Sequence, residues 1–149
     1  MARHGYHGRV GFADLGDRTW RVEELDEKVW RRYAGGGLLA TWLLLRETRA
    51  GLDPYAAKSP MTGGIGETRC DGPFAVALKG SGVDAIVITG RARRPVTLVV
   101  EDGIGRFEEA GDLWGQPVSA TNDALEAVHG AGIHTGEPHA VFTGRADHR

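Results

Sequence analysis

One arrangement of residues occurs twice in this chain, and it limits the fold more than any other feature. In the first copy "RVGFAD", residues 9–14, places Val10 and Phe12 on one face, and "LGDR" supplies a turn. "TWRVEE" then alternates again, with Trp20 and Val22 facing one way and Arg21 and Glu23 the other. Asp26 is positioned to cap a helix through "EKVWRRYA", where Val29, Trp30 and Tyr33 form one apolar stripe. In the second copy "VTLVVED" is a strand, "DG" a hairpin turn and "RFEEA" the return strand. A helix follows through "NDALEAV", with Thr121 as its cap and Gly130 as its stop. Two strand–turn–strand–helix units predict an internal duplication and an α+β fold. Residues 9–14 pair with 19–24, and 96–102 with 105–110, as two small antiparallel sheets with helices packed against them.

The segments between the copies add elements of their own. Glycines 35–37 end the first helix, and "LLATWLLLRET" begins another. It is apolar on nearly every side and is expected to be buried. "GGGLLA" also fits the dinucleotide fingerprint formally, but that motif needs a strand before it, and here a helix precedes it. A helix–helix turn is the better reading. "FAVALKGSG" predicts a short helix ending in glycine, and "DAIVITG" a buried strand. The 149 residues suit one domain spanning 1–149.

Composition removes several function classes. The formal net charge of −2 argues against a nucleic-acid surface. A single cysteine excludes an internal disulfide and cannot by itself hold zinc or an iron–sulfur cluster. The longest apolar run, "LLATWLLL", is far shorter than the roughly 20 residues of a membrane span. "MARHGYHGRVGFADL" has no apolar signal core, so a cytoplasmic location is expected. His4 with His7 and His134 with His139 suggest metal ligands, but neither pair has a carboxylate or thiol beside it. No metal ligand, and no catalytic acid, base or nucleophile, is assigned.

The chemistry-bearing stretch is "KSPMTGGIGETRCDGP", residues 58–73. Glycine loses more conformational freedom on folding than any other residue, so a loop rich in it either turns sharply or admits something close to its backbone. "TGGIGE" offers successive backbone N–H groups of the kind that bind anions. Arg69 could add a charged fork to the same anion. Cys70 follows that arginine, which would lower its pKa, though no histidine stands nearby in sequence to act as base. A plain glycine-rich connector fits the same residues.

Three blocks together resemble the N-terminal domain of the aldehyde ferredoxin oxidoreductase family, the tungsten or molybdenum pterin enzymes. They are "GYHGRVGFADLGDRTWRVEELDEKVWRRYAGGGLLATWLLLRE", "KSPMTGGIGETRCDGPFAVALKGSGVDAIVITGRARRPVTLVVEDG" and "FEEAGDLWGQPVSATNDALEAV". The resemblance covers most of residues 5–129, and the second block is the most specific. It implies a domain of two related halves that forms a base under a tungsten or molybdenum bis-pterin. On this reading Gly63, Gly64, Gly66, Arg69, Cys70 and Gly72 belong to the segment that touches one pterin. It further implies that helical domains elsewhere hold a [4Fe–4S] cluster whose cysteine ligands this chain lacks. The assembled enzyme would oxidise aldehydes and reduce ferredoxin.

The sequence also departs from that family. Between Pro54 and Ser59 it omits a stretch that in relatives ends in a cofactor-contacting arginine, and it ends before the second pterin loop. Arg69, Cys70 and Asp71 stand where many relatives have asparagine, serine and glycine. Three readings follow. The chain is the cofactor base of such an enzyme and needs a partner chain carrying the remaining domains. Alternatively it is a non-catalytic remnant or interaction module that keeps the fold, or a small enzyme using Cys70. No nucleic-acid or membrane partner is expected, and the exposed apolar surface of an incomplete domain favours homo-oligomers.

Overall fold

A computed structural model describes residues 5–48, 73–130, 133–135 and 141–144, the last two segments as backbone only. The chain divides into two compact units, residues 25–70 and the remainder.

In the larger unit both predicted hairpins are present. Strand β1 (Arg9–Asp14) pairs antiparallel with β2 (Thr19–Glu24), with Val10 opposite Glu23 and Ala13 opposite Trp20. Strand β4 (Val96–Glu101) pairs antiparallel with β5 (Ile104–Glu109), with Leu98 opposite Phe107. Asp102 and Gly103 both take positive φ, 51° and 78°, the tight turn that Asp-Gly favours.

Each hairpin then gains a strand that alternation does not reveal. β3 (Ala85–Thr89) lies parallel to β1, giving the order β2-β1-β3. β7 (Val141–Gly144) lies parallel to β4, and β6 (Ile133–Thr135) closes a second sheet ordered β5-β4-β7-β6. The duplication therefore extends beyond the hairpins. In both halves the first strand sits between its hairpin partner and a later parallel strand.

A central strand is covered on both faces, and β1 shows it. Val10, Phe12 and Ala13 are all buried, as is Gly11, so small residues fill the face that the alternating pattern would leave polar. Ala13 packs with Val83, Leu98 and Val100, ringed by Trp20, Leu78, Ile86, Ile88 and Phe107. The two sheets thus meet through one apolar layer. On the opposite face of β1 the Arg21 guanidinium lies 3.7 Å from the Phe12 ring centroid. β3 is half-buried rather than buried, which corrects the reading of "DAIVITG".

Trp20 fits between two glycines. A Cβ at Gly11 would come within 2.9 Å of Trp20 Cζ3, and one at Gly105 within 2.8 Å of Trp20 Cγ, with other ring atoms closer still. The indole N–H donates to the Gly103 carbonyl at 3.0 Å. Gly105 occupies in the second hairpin the register position that Trp20 occupies in the first, one residue in from the turn-proximal pair.

In the smaller unit helix α1 (Glu27–Tyr33) begins where expected, with Asp26 Oδ1 accepting from Lys28 N at 2.7 Å. Ala34, at φ 48°, closes it, and Gly35 opens α2 (Gly36–Glu47), so the triple glycine is a helix–helix turn. The rings of Tyr33 and Trp42 stack with centroids 5.4 Å apart. α2 buries only the stripe of Leu39 and Leu43, while Leu38 and Leu45 are each 66% exposed. The expectation of an all-round buried helix fails because a surface helix needs only one apolar stripe.

Helix α3 (Pro73–Gly80) precedes β3, and α4 (Val118–His129) follows β5 after a single 3-10 turn at Gly111–Leu113. Pro117, not Thr121, caps α4. Thr121 lies inside the helix, buried beside Leu125 one turn on, and its N–H donates to the Pro117 carbonyl at 3.0 Å. Gly130 ends the helix at φ 76°, as expected.

Candidate cofactor-binding region

Gly63, Gly64, Gly66, Arg69, Cys70 and Gly72 all lie outside the described residues. The described chain resumes at Pro73, the first residue of α3, directly after Gly72. Proline suits that position, since its missing N–H would have had no helical partner. The first turn of α3 carries no acidic residue, so no side chain there offsets the positive end of the helix dipole. The sequence just before it is rich in glycine, and backbone N–H groups free of side chains at a helix start suit an anionic group.

α3 is anchored by an anion nest that sequence reading missed. The Asp84 carboxylate accepts from three successive backbone N–H groups: His7 at 2.8 Å, Gly8 at 2.7 Å and Arg9 at 3.3 Å. Lys79, in the last turn of α3, pairs with its other oxygen. Burial alone would raise the Asp84 pKa, but the Lys79 hydrogen bond and the His7 and Gly8 N–H groups outweigh it and hold the carboxyl below its ordinary value. His7 is therefore a structural residue, its ring Nε2 lying 2.9 Å from the Lys79 carbonyl oxygen. The nest is filled by the protein's own carboxylate. Its signal in the sequence was the pair of glycines at 5 and 8, both at positive φ.

A second polar feature lies at the turn of the first hairpin. Asp14 accepts from Gly16 N at 2.8 Å, Asp17 N at 3.0 Å and Thr89 Oγ1 at 3.1 Å. The Asp17 N–H, then the Thr89 hydroxyl, hold its pKa below the ordinary value. The turn delivers Arg18, at φ 53°, to a cleft shared with Leu15, Gly16, Arg93, Arg94 and Glu109. Arg18 Nη1 lies 2.5 Å from Glu109 Oε1. That contact, with the charge of Arg94, keeps Glu109 below the usual carboxylate range. Among the described residues no three His, Cys, Asp or Glu side chains come together as a metal site. No described helix is long and apolar enough to cross a membrane.

The pair of mixed sheets, each a hairpin joined by a later parallel strand, defines the class of fold. The model of the aldehyde ferredoxin oxidoreductase N-terminal domain matches residues 55–146, and the chain belongs to that family. The tungsten-containing aldehyde ferredoxin oxidoreductase of Pyrococcus furiosus is 29% identical over 154 residues, covering 86% of this chain and 26% of that protein. The enzyme of the same name from Thermococcus kodakarensis is also 29% identical over 154 residues. The WOR-like subunit of the aliphatic sulfonate oxidoreductase of Pyrococcus furiosus is 25% identical and covers 85% of the chain. The chain spans about a quarter of the length of these curated relatives. Among solved structures, the active-site complex of benzoyl coenzyme A reductase with 1,5-dienoyl-CoA matches 85% of this chain at a TM-score of 0.70 and 18% identity. It covers 23% of that chain, and the likeness is one of fold.

Proposed function

We propose that residues 1–149 act as one shortened domain, the cofactor-facing base of an aldehyde ferredoxin oxidoreductase-type enzyme. The observation that carries this reading is the family match over residues 55–146, which takes in the whole glycine loop. The backbone N–H groups of Gly63, Gly64, Gly66 and Gly72, with Arg69 and Cys70, would hold the phosphate end of one pterin of a tungsten or molybdenum bis-pterin. When bound, that group supplies the redox centre for aldehyde oxidation. This chain's own residues bind and orient it. A partner chain would carry the remaining domains, the [4Fe–4S] cluster and the route to ferredoxin, in the cytoplasm. Exposed Leu38 and Leu45 on α2, Val76 on α3, and Trp114 and Val118 before and on α4 are suited to such covering domains.

Calorimetric titration with molybdopterin or pyrophosphate, with and without co-expressed neighbouring chains, tests the reading. Arg69→Ala should weaken binding by about 1.5–3 kcal/mol, the range for hydrogen bonds to charged groups. Asp71→Gly should strengthen it by removing like-charge repulsion. The substitution of Arg69, Cys70 and Asp71 for the family's usual residues favours a second reading, a non-catalytic module that keeps the fold. Wild-type protein that binds neither probe, with its partners present, would establish that second reading and refute the first.

A further inference from the structure

We propose that the cleft at the turn of the first hairpin binds a small polyanion of the pyrophosphate class, held by the guanidinium groups of Arg18, Arg93 and Arg94. The cleft has a volume of about 330 Å³ and lies wholly within the larger unit. That is the low end of small-molecule sites, which run from about 300 Å³. Among the described residues three guanidinium groups face one carboxylate, so the described lining is net cationic. Among the described residues that line it, Leu15 has the only apolar side chain and none carries an aromatic ring on which a nucleobase could stack. The chemistry on offer is charge and forked N–H donors, which match phosphate oxygens in pairs.

Two turns of the backbone hold these arginines at the cleft. Arg18 adopts φ 53°, a conformation that glycine enters freely and a bulky side chain does not. Such an outlier points from geometry to a use for the side chain. Arg93 and Arg94 project from the β3–β4 connection, which starts at Gly90 with φ 72°. A Cβ there would lie 2.8 Å from Asp14 Oδ1 and 3.1 Å from Gly16 N, so the connection is drawn tightly against the hairpin turn. Arg93 and Arg94 are exposed and make no ion pair among the described residues, whereas Arg18 is occupied by Glu109. Glu109 is 60% exposed, so an arriving dianion can take Arg18 from it at small cost.

Titration of the full chain with inorganic pyrophosphate at low salt tests the site. The expected result, in the Arg69→Ala chain so that the glycine-rich stretch contributes no event of its own, is one binding event that weakens as salt rises. Arg93→Ala with Arg94→Ala should lower affinity tenfold or more, and Glu109→Gln should raise it severalfold by freeing Arg18. Arg18→Gly should lower affinity while leaving the melting temperature unchanged or higher, because glycine suits the positive φ. That variant separates loss of a ligand contact from loss of fold. Arg32→Ala, in the other unit, should change nothing. Absence of binding, or binding indifferent to Arg93 and Arg94, overturns the proposal. Binding lost in Arg69→Ala instead assigns pyrophosphate to the glycine loop and overturns it too. So does a hexaglutamate peptide that binds more tightly than pyrophosphate at matched ionic strength.

Discussion

Replacing Asp84 by asparagine keeps the size of the side chain and removes the charge on which the nest is built. The carboxylate is 6% exposed and receives three backbone N–H groups and Lys79, so water replaces none of these partners in the folded state. The amide retains one acceptor oxygen, but its NH2 must face N–H donors or the ammonium. Lys79 is 43% exposed and can turn to solvent, which places the cost below the roughly 3–5 kcal/mol of a fully buried broken pair. Loss of charge-assisted hydrogen bonds then sets the cost at about 1.5–3 kcal/mol. Urea unfolding at neutral pH should show the midpoint falling with no change in slope. The pH dependence supplies the sharper check. The folded-state pKa of Asp84 is depressed, so its stabilisation is complete above the unfolded value of about 3.9 and is lost as pH falls through the folded value. The gap between wild type and Asp84→Asn should therefore close in strong acid. A cost below about 0.5 kcal/mol at neutral pH, the size of an ordinary surface substitution, would refute the account. So would a gap that stays constant from about pH 6 to about pH 2.

Other outcomes follow from the packing and the turns. Gly105→Ala puts a methyl group into the Trp20 ring and should destabilise by about 1–3 kcal/mol in urea melts. Combined with Trp20→Ala it should cost less than the sum of the two single changes. Gly90→Ala combines φ 72° with a clash against Asp14 and should lower stability by about 1–3 kcal/mol, measured in the same way. The isolated chain should self-associate at micromolar concentration through its exposed leucines and valines, and light scattering showing a clean monomer would contradict this.

The hairpins were legible because alternation and a Asp-Gly turn are local signals. β3 was legible as a strand in "DAIVITG", but its place beside β1 was not, and the later strands of the second sheet were not read at all. β1 and β3 are parallel partners that meet across more than 70 residues, and parallel pairing leaves no turn signature in the sequence. β6 and β7 are too short, at three and four residues, to show a period. Burial of α2 was over-read because an apolar helix looks the same from sequence whether one stripe or all of it is covered. At the candidate site, the glycine loop declared itself by composition. The Asp84 nest did not, since its donors and acceptor are separated by 75 to 77 residues. "RARR" was not singled out in the sequence, and Arg18 joins two of its arginines only through the tertiary structure.

The unequal residues at matched positions of the two hairpins, Trp20 and Gly105, bear on how a duplicated chain avoids mistaken partners. Two similar hairpins in every molecule invite a hairpin from one copy to take the place of its counterpart in another. First hairpin against first hairpin would bring indole against indole where there is room for one ring. Second against second would set glycine opposite glycine and leave a gap the size of a tryptophan, with its indole hydrogen bond to Gly103 unmade. Only the mixed pair fills the space once. A halved and doubled ancestor could have assembled from identical pieces, but this chain has written the identity of each half into its own core.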